Sequence, residues 1–350
     1  MTKWLKRVGL VSAILFTFLL ALGFSYEQIS RSSAERAHQQ PGELVDVGGH
    51  KLHIVKKGTG GPTVIFESGL GYSGHLPWFK VQEEVAKFAT TVSYDRAGLL
   101  WSERGENPKT ALAVAAELNE LLTNLGLEKP YILVGHSLAG VTLRPYVLNY
   151  IEDVGGMILV DGSHPDMEKH MSARLKEKLM SSPPSPLLIK AAVHLGLARL
   201  MLADNLQPNT EKGDNINQVV TTMLHKSLTG FVDEMANAEQ MMAEVSDMRA
   251  LGDFPLTVIT AISPARLDNT GFDDALKKEL LDLWLRLQKD LLTLSSNSTH
   301  VLASDSGHFI QLEQPELVIE AIREMVSKKS GVIGAKSVYL EQNLNSKEQR

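Results

Sequence analysis

The chain has 350 residues, of which 43% are hydrophobic and 22% charged, with a formal net charge of −6 and no cysteine. Such a length and composition indicate a globular protein with one large domain carrying an insertion, or with two domains. The composition excludes disulfides, thiolate metal sites and a cysteine nucleophile, and it lacks the basic excess that is typical of nucleic-acid binding.

The first 40 residues are predicted to stand apart from the folded domain as an N-terminal targeting segment and linker. Three cations, Lys3, Lys6 and Arg7, precede an uncharged run over residues 8–24, after which the chain turns polar. This pattern is typical of a signal anchor or a cleavable signal peptide. A cleavage-like triplet at residues 21–23 is followed by bulky residues, which favours the anchor. We expect an extracytoplasmic domain tethered to a membrane, with secretion after signal cleavage as the alternative.

Strand and helix signals alternate from residue 43 onwards. Glycines 48 and 49 join two short strands into a hairpin, and apolar strands separated by helical patterns follow it. We predict strands over 43–47, 51–57, 63–66, 91–94, 131–136, 156–160, 256–261 and 300–303, and helices over 76–88, 108–126, 273–294 and 315–326. Such an alternation predicts an α/β fold whose mostly parallel, eight-stranded sheet is flanked by helices, with the hairpin as an antiparallel edge.

The stretch between the sixth and seventh strands breaks this alternation. Residues 162–253 show helical periodicity without a convincing strand, and they hold most of the methionines. We predict a helical cap over 162–253, inserted into a core made of residues 41–161 and 254–328, with a polar tail over 329–350. The cap methionines, among them Met180, Met223 and Met241, either fill its interior or line a pocket for apolar groups.

The run from Pro130 to Gly140 carries the main candidate for chemistry. A short apolar strand leads into Gly-His-Ser-Leu-Ala at residues 135–139, and a helix-forming segment follows at once. This order predicts that Ser137 lies on a sharp strand-to-helix turn with its hydroxyl exposed above the sheet. A serine hydroxyl is a poor nucleophile at neutral pH, so the motif needs a base and an orienting acid elsewhere in the chain.

His308 is the candidate base among the 11 histidines, because it follows the last strand on a glycine-containing loop at the edge of the sheet where ligands bind. The usual place for the acid is the loop after the seventh strand, but that loop has no carboxylate before Asp268. Asp161 ends the sixth strand, next to the serine strand, and is the preferred acid. Asp268 is the alternative, and Asp166, Asp305 or no acid at all stay open.

Two backbone N–H groups are candidates for holding a developing oxyanion. One belongs to Leu138, directly after Ser137, and the other belongs to the glycine-rich turn after the third strand, with Leu70 preferred and Gly69 next. The sequence contains neither a phosphate-binding loop nor an H-E-x-x-H metal motif, so we expect no cofactor and no metal.

These segments resemble the α/β-hydrolase superfamily, in its branch of esterase-like proteins with a helical cap. The resemblance extends over residues 44–328 and rests on five segments in the superfamily's order, at residues 64–71, 93–102, 131–137, 159–165 and 306–318. It implies serine hydrolase chemistry without a cofactor. It also implies that Asp95 and Arg96 belong to a structural loop with an internal ion pair. Ala139 stands where the motif has its last glycine, and Ser68 stands where many members have histidine.

The sequence therefore predicts a carboxylesterase- or lipase-like serine hydrolase that acts on small apolar esters through an acyl-enzyme intermediate. Ser137 attacks, His308 transfers the proton and Asp161 orients the imidazole. Lactonases and cofactor-free peroxidases would use the same residues, whereas the dehalogenases and epoxide hydrolases that resemble this fold carry a carboxylate in place of the serine. The alternative is a catalytically silent member that binds a ligand or a partner protein, which the missing acid after the seventh strand keeps open.

Overall fold

The computed structural model describes residues 2–37, 39–179, 185–202, 219–220, 222–268 and 270–329. One eight-stranded sheet contains β1 Glu43–Asp46, β2 Lys51–Lys57, β3 Val64–Glu67, β4 Thr91–Tyr94, β5 Tyr131–His136, β6 Val154–Val160, β7 Leu256–Ala261 and β8 Ser298–Ala303. Their order across the sheet is β1-β2-β4-β3-β5-β6-β7-β8. β2 pairs antiparallel with β1 and with β4, and the remaining pairs are parallel. The predicted fold class and its antiparallel edge are confirmed.

Helices cover both faces of this sheet. The α-helices span Thr2–Ala37, Phe79–Val85, Ala111–Leu125, Ala139–Asn149, Ala173–Leu179, Pro186–His194, Leu197–Leu202, Leu224–Ala236, Ala238–Val245, Asp274–Leu292, Ile310–Glu313 and Pro315–Lys329, and 3-10 turns span Leu76–Trp78, Ile151–Asp153, Glu168–His170 and Pro264–Leu267. Along β5, Leu133 packs into one core layer and its neighbours Ile132 and Val134 pack into the other. This strand is buried on both sides, which explains its continuous apolar sequence.

The predicted element boundaries move by a few residues where a cap or a tight turn decides them. The helix predicted from residue 108 begins at Ala111, because Thr110 has extended backbone and its side chain accepts a hydrogen bond from the Ala113 N–H. The helix predicted over 76–88 is a 3-10 turn followed by an α-helix that ends at Val85.

We call residues 162–253 the cap segment; its described residues form helices and contain no strand. Met223 is buried beside Leu100 and Trp101 of the core, and Met241 is buried beside Leu138 and Val141. Met201 is 77% exposed. Met180 and the predicted tail from residue 330 onwards lie outside the described residues.

The N-terminal helix, Thr2–Ala37, is one continuous element. Residues 3–22 are exposed along their whole length. Beyond them, Gly23 lies against the Leu195 carbonyl of the cap segment, and the buried carboxylate of Glu27 pairs with Arg199 at 3.0 Å. The sequence prediction set the first 40 residues apart from the domain. The second half of the helix differs from this prediction because it contacts the cap segment. Gly23 permits the close approach of the two backbones, and the buried carboxylate of Glu27 requires an ionic partner.

Candidate active site

β5 ends directly in the turn that carries Ser137. This residue has a φ of 51°, in the left-handed region that residues with side chains rarely adopt, and the helix Ala139–Asn149 begins just beyond it. The Ser137 N–H donates to the Val160 carbonyl at 3.1 Å, and the Ser137 carbonyl accepts from the Ser163 N–H at 2.7 Å. These bonds tie the strained turn to the end of β6. The arrangement has the features of a nucleophile elbow.

Small residues allow the elbow helix to pack this closely. A Cβ on Gly135 would lie 2.6 Å from the Cβ of Ala139, and a Cβ on Gly140 would lie 2.8 Å from the Ser163 carbonyl oxygen. Ala139 therefore fits at the last position of the motif, because Gly140 is the residue that faces the end of β6.

Asp161 and His308 meet at the carboxyl ends of β6 and β8. Nδ1 of His308 lies 2.6 Å from Oδ2 of Asp161; the histidine side chain is 32% exposed and the carboxylate is fully buried. The His308 ring lies 4.6 Å from the ring of His136, the residue before Ser137. The structure thus brings the predicted base and the preferred acid together next to the elbow.

The other acid candidates lie away from His308. The Asp268 side chain is 66% exposed and lies 3.6 Å from Lys277. Asp166 pairs with Lys169 at 2.7 Å, and Asp305 accepts a hydrogen bond from the Ser304 hydroxyl at 3.0 Å.

Four donors converge on the carboxylate of Asp161. Oδ1 accepts from the Trp284 indole at 2.7 Å and from the Ala261 N–H at 2.9 Å, while Oδ2 accepts from Arg266 at 3.1 Å and from His308. Burial by itself raises the pKa of Asp161, but the His308 contact and the charge of Arg266 outweigh it and lower that pKa below its usual value. An ionised carboxylate only accepts hydrogen bonds, so Nδ1 of His308 carries a proton and Nε2 is left as the basic atom.

Arg266 and Trp284 contact Asp161, and the sequence prediction missed both. Arg266 lies in the 3-10 turn after β7, the loop in which the acid was expected, and its guanidinium lies over the Trp284 ring at 5.1 Å. Trp284 comes from the helix Asp274–Leu292. The sequence did contain a signal for Arg266, because the loop after β7 has an arginine where a carboxylate was expected. Its positive charge is complementary to an acid at the end of the neighbouring strand β6.

Two side chains fix the loop that carries His308. His136 Nε2 lies 2.8 Å from the His308 carbonyl oxygen. Burial is the main cause that lowers the pKa of His136 to about 3, so this ring is neutral and donates to that carbonyl. The carboxylate of Glu313 accepts from the Gly307 N–H at 2.5 Å.

The turn after β3 lies beside Ser137. A Cβ on Gly69 would come within 2.8 Å of the Ser137 Cβ, so a larger residue would displace the serine. Arg96 donates to the carbonyls of Ser68 at 2.5 Å and Gly69 at 2.9 Å, which fixes the orientation of the turn. Within the part of the chain that the structure describes, neither the Leu70 N–H nor the Leu138 N–H donates a hydrogen bond. Both groups therefore meet one requirement for an oxyanion donor.

Asp95 and Arg96 do not form the internal ion pair that the resemblance implied. Arg96 pairs with Glu234 of the cap segment through two contacts of 2.7 and 2.9 Å, and both side chains are buried. Burial lowers the pKa of Arg96, but the Glu234 carboxylate more than offsets this and raises it. The two neighbouring side chains leave the loop in different directions, so Asp95 belongs to a separate network. One consequence is that the cap segment is linked through Arg96 to the turn beside Ser137.

Asp95 lies between two buried histidines, His53 and His75, in a group whose ligand atoms are within 4.8 Å of one another. This spacing would accommodate a cation, but each histidine Nδ1 is already 2.8 Å from a carboxylate oxygen of Asp95. Burial raises the pKa of Asp95, whereas the two histidines lower it far below its usual value. These contacts are hydrogen bonds to one carboxylate, so we interpret the three residues as a structural network that fixes the position of the Asp95 loop.

Comparison with known proteins shows what the chain is similar to. A family model described as the α/β hydrolase fold matches residues 62–185. A thermophilic esterase from Thermogutta terrifontis superposes with a TM-score of 0.56 and 22% identity, over 82% of this chain and 98% of that protein. An epoxide hydrolase from Bacillus megaterium superposes with a TM-score of 0.60 and 16% identity, over 81% of this chain and 100% of that protein. The match and the superpositions show the α/β-hydrolase fold that the sequence predicted.

A relative in sequence is "Probable transporter efuK" of Hormonema carpetanum, which is 36% identical over 135 residues. The match covers 36% of this chain and only 19% of the length of that relative.

Proposed function

We propose that this protein is a serine hydrolase that cleaves ester-type acyl substrates through Ser137, His308 and Asp161. The observation that supports this most strongly is the 2.6 Å contact between His308 Nδ1 and the buried Asp161 carboxylate, at the edge of the sheet that carries the elbow serine. An ionised acid at Nδ1 leaves Nε2 ready to accept a proton and stabilises the imidazolium that then forms.

The reaction proceeds in two halves. His308 takes the Ser137 proton as the serine oxygen bonds to the ester carbonyl carbon, and the Leu138 and Leu70 N–H groups hold the resulting oxyanion. When the carbonyl re-forms, the bond to the alcohol breaks and His308 protonates that leaving group. Water, deprotonated by His308, then attacks the acyl-enzyme, releases the acid and restores the serine.

A serine at the elbow favours acyl chemistry over epoxide opening, although epoxide hydrolases share the fold. Attack by a carboxylate on an epoxide gives an ester, which water can hydrolyse. Attack by Ser137 on an epoxide would give an ether, which the same machinery could not hydrolyse. The proposed substrates are therefore esters and related acyl compounds. A silent binding protein is the less favoured alternative, because it would not need four donors on a buried acid.

We further propose that the N-terminal helix is an uncleaved membrane anchor and that the catalytic domain lies outside the cytoplasm. Residues 3–22 are exposed and apolar after their cationic start, and such a length of helix spans about 30 Å, the thickness of the hydrocarbon core. The buried pair of Glu27 with Arg199 supports retention of the helix, because cleavage after residue 23 would detach the anchor from the part that packs on the domain.

The proposed function is tested by hydrolysis of p-nitrophenyl acetate, butyrate and octanoate by the full chain in mild detergent. We expect Ser137→Ala to lower kcat/KM by about 10³-fold or more. Ser304→Ala is the matched control, since this exposed serine lies in the loop that leads to His308, and it should retain wild-type activity. Equal activity of Ser137→Ala and wild type, or no hydrolysis by folded wild-type protein, would contradict the proposal.

A further inference from the structure

Two short helices of the cap segment, Pro186–His194 and Leu197–Leu202, carry an apolar outer face. This outer cap face consists of Leu187 at 75% exposure, Leu188 at 65%, Leu200 at 65% and Met201 at 77%. The inner faces of the same helices are already used, because Val193 and Ala198 are buried in the interior of the cap segment. A surface helix normally turns polar residues outwards, so an apolar outer face indicates a partner that is itself apolar.

The charge pattern around the outer cap face fits a membrane surface. Residues 185–202 contain no acidic side chain. Lys190 bonds to Asp233 at 2.7 Å, and Arg199 bonds to Glu27 at 3.0 Å. With these cations bound to carboxylates of the protein itself, the face presents neutral apolar side chains. Such a face can lie at the boundary between headgroups and acyl chains.

The N-terminal helix places this face at a definite height relative to a bilayer. Residues 3–22 would cross about 30 Å of hydrocarbon. Immediately after them, a Cβ on Gly23 would lie 2.7 Å from the Leu195 carbonyl oxygen, and a Cβ on Gly196 would lie 2.7 Å from the Tyr26 ring. Leu195 and Gly196 form the turn between the two cap helices. The helix therefore leaves the membrane beside this turn, which brings the outer cap face to the membrane surface.

The apolar cluster on the inner side of the same helices reaches the chain just after the turn next to Ser137. Tyr72, which follows that turn in the chain, packs into the cap cluster together with Ile189 and meets the Phe231 ring edge-on at 5.8 Å. One apolar cluster thus connects the helices of the outer cap face with the residues that neighbour the candidate oxyanion donors.

We propose that the outer cap face inserts into the membrane interface beside the N-terminal anchor, and that the protein draws its substrates from esters dissolved in the bilayer. The first part rests on the anchored helix and its contacts with the cap segment. The second part rests also on the proposed serine hydrolase function.

The absence of cysteine makes the first part directly measurable. Leu188→Cys and Met201→Cys can each carry a single environment-sensitive fluorophore, and Leu302→Cys on β8, at 49% exposure, is the matched control. The full chain is reconstituted into vesicles of phosphatidylcholine and phosphatidylglycerol, with nitroxide-labelled lipid or aqueous iodide as quencher. We expect nitroxide lipid to lower the emission at the first two positions by about twofold or more, and iodide to act mainly at Leu302→Cys.

Two outcomes would overturn the membrane contact. In one, the labels at positions 188 and 201 are quenched by iodide and not by nitroxide lipid. In the other, they are shielded from both quenchers until the protein is diluted in lipid, which would identify a second copy of the chain as the partner of this face.

The substrate class is tested with the double variant Leu188→Glu and Met201→Glu, and with Leu302→Glu as control. On vesicle-borne p-nitrophenyl palmitate we expect the double variant to lose about tenfold in rate, because charged residues resist insertion, while soluble p-nitrophenyl acetate is hydrolysed as by wild type. Equal rates of the double variant and wild type on the vesicle substrate would overturn the proposed lipid-phase substrate. If wild type hydrolyses neither ester while the quenching is as expected, the serine hydrolase proposal fails and the membrane contact stands.

Discussion

Replacing Asp161 by asparagine tests the orienting acid with little change in shape. Each carboxylate oxygen accepts from two donors: Trp284 and Ala261 at Oδ1, Arg266 and His308 at Oδ2. With the amide NH₂ at the first position, two buried donors would face it unpaired, at about 1–3 kcal/mol each. With the NH₂ at the second position, His308 can shift its proton from Nδ1 to Nε2 and accept, so only Arg266 loses its partner.

The second orientation is therefore preferred, and it damages catalysis more than stability. With the proton on Nε2, His308 no longer has a basic atom for the Ser137 hydroxyl. We expect kcat/KM to fall by about 10³–10⁴-fold, equivalent to about 4–5 kcal/mol in the barrier. The free energy of unfolding should fall by only about 1–3 kcal/mol, for the one donor left unpaired.

The assay is kcat/KM on p-nitrophenyl butyrate, combined with urea unfolding of the same preparations. Asp268→Asn is the control, since its side chain is exposed, and it should keep wild-type activity. Asp161 is not the orienting acid if a folded Asp161→Asn variant stays within about tenfold of wild type, or if Asp268→Asn is the variant that loses activity.

Three further outcomes are expected. Gly69→Ala should lower kcat by about 100-fold, because the new Cβ would meet the Ser137 Cβ at 2.8 Å. Gly71→Ala should be neutral, because its new Cβ would lie 4.0 Å from Oγ of Ser73; initial rates on one ester distinguish the two variants. Glu234→Gln should lower kcat about tenfold, because it weakens the contact that holds Arg96 against the turn of Gly69. Arg104→Ala is the control, since it removes an exposed ion pair to the same cap helix, and it should leave kcat unchanged. Equal effects of the two variants would argue against coupling between Glu234 and that turn. The lowered pKa of Asp161 stabilises the folded protein at pH values above the unfolded pKa of about 3.9, and this stabilisation is lost as the pH falls towards the lower folded pKa. Below about pH 4, the free energy of unfolding measured in urea should therefore depend less on pH in Asp161→Asn than in wild type.

The parts of the fold and site that the sequence predicted are those with local signals. β5 is a continuous apolar run that ends in Gly-His-Ser, so its strand, its turn and the position of Ser137 follow from adjacent residues. The preference for Asp161 over Asp268 also came from a local observation, the place of a carboxylate at the end of a strand next to β5.

The supporting residues escaped the prediction because they act across the fold. Trp284 reaches Asp161 from a distant helix, and Glu234 reaches Arg96 from the cap segment. Neither contact leaves a periodic pattern or a motif in the chain, since each depends on how helices pack on the finished sheet. For the same reason the sequence could not predict that the N-terminal helix packs on the cap segment through Gly23 and Glu27.

The most direct test of Ser137 as the nucleophile is covalent labelling with a fluorophosphonate, followed by mass spectrometry of the labelled peptide. The probe mimics the tetrahedral stage of acyl transfer and reacts with a serine only when a base activates it. We predict one phosphonyl group per folded chain, carried by the peptide that contains Ser137, with labelling abolished in Ser137→Ala and strongly slowed in Asp161→Asn. Folded wild-type protein that is not labelled, or that is labelled at another residue, would contradict it.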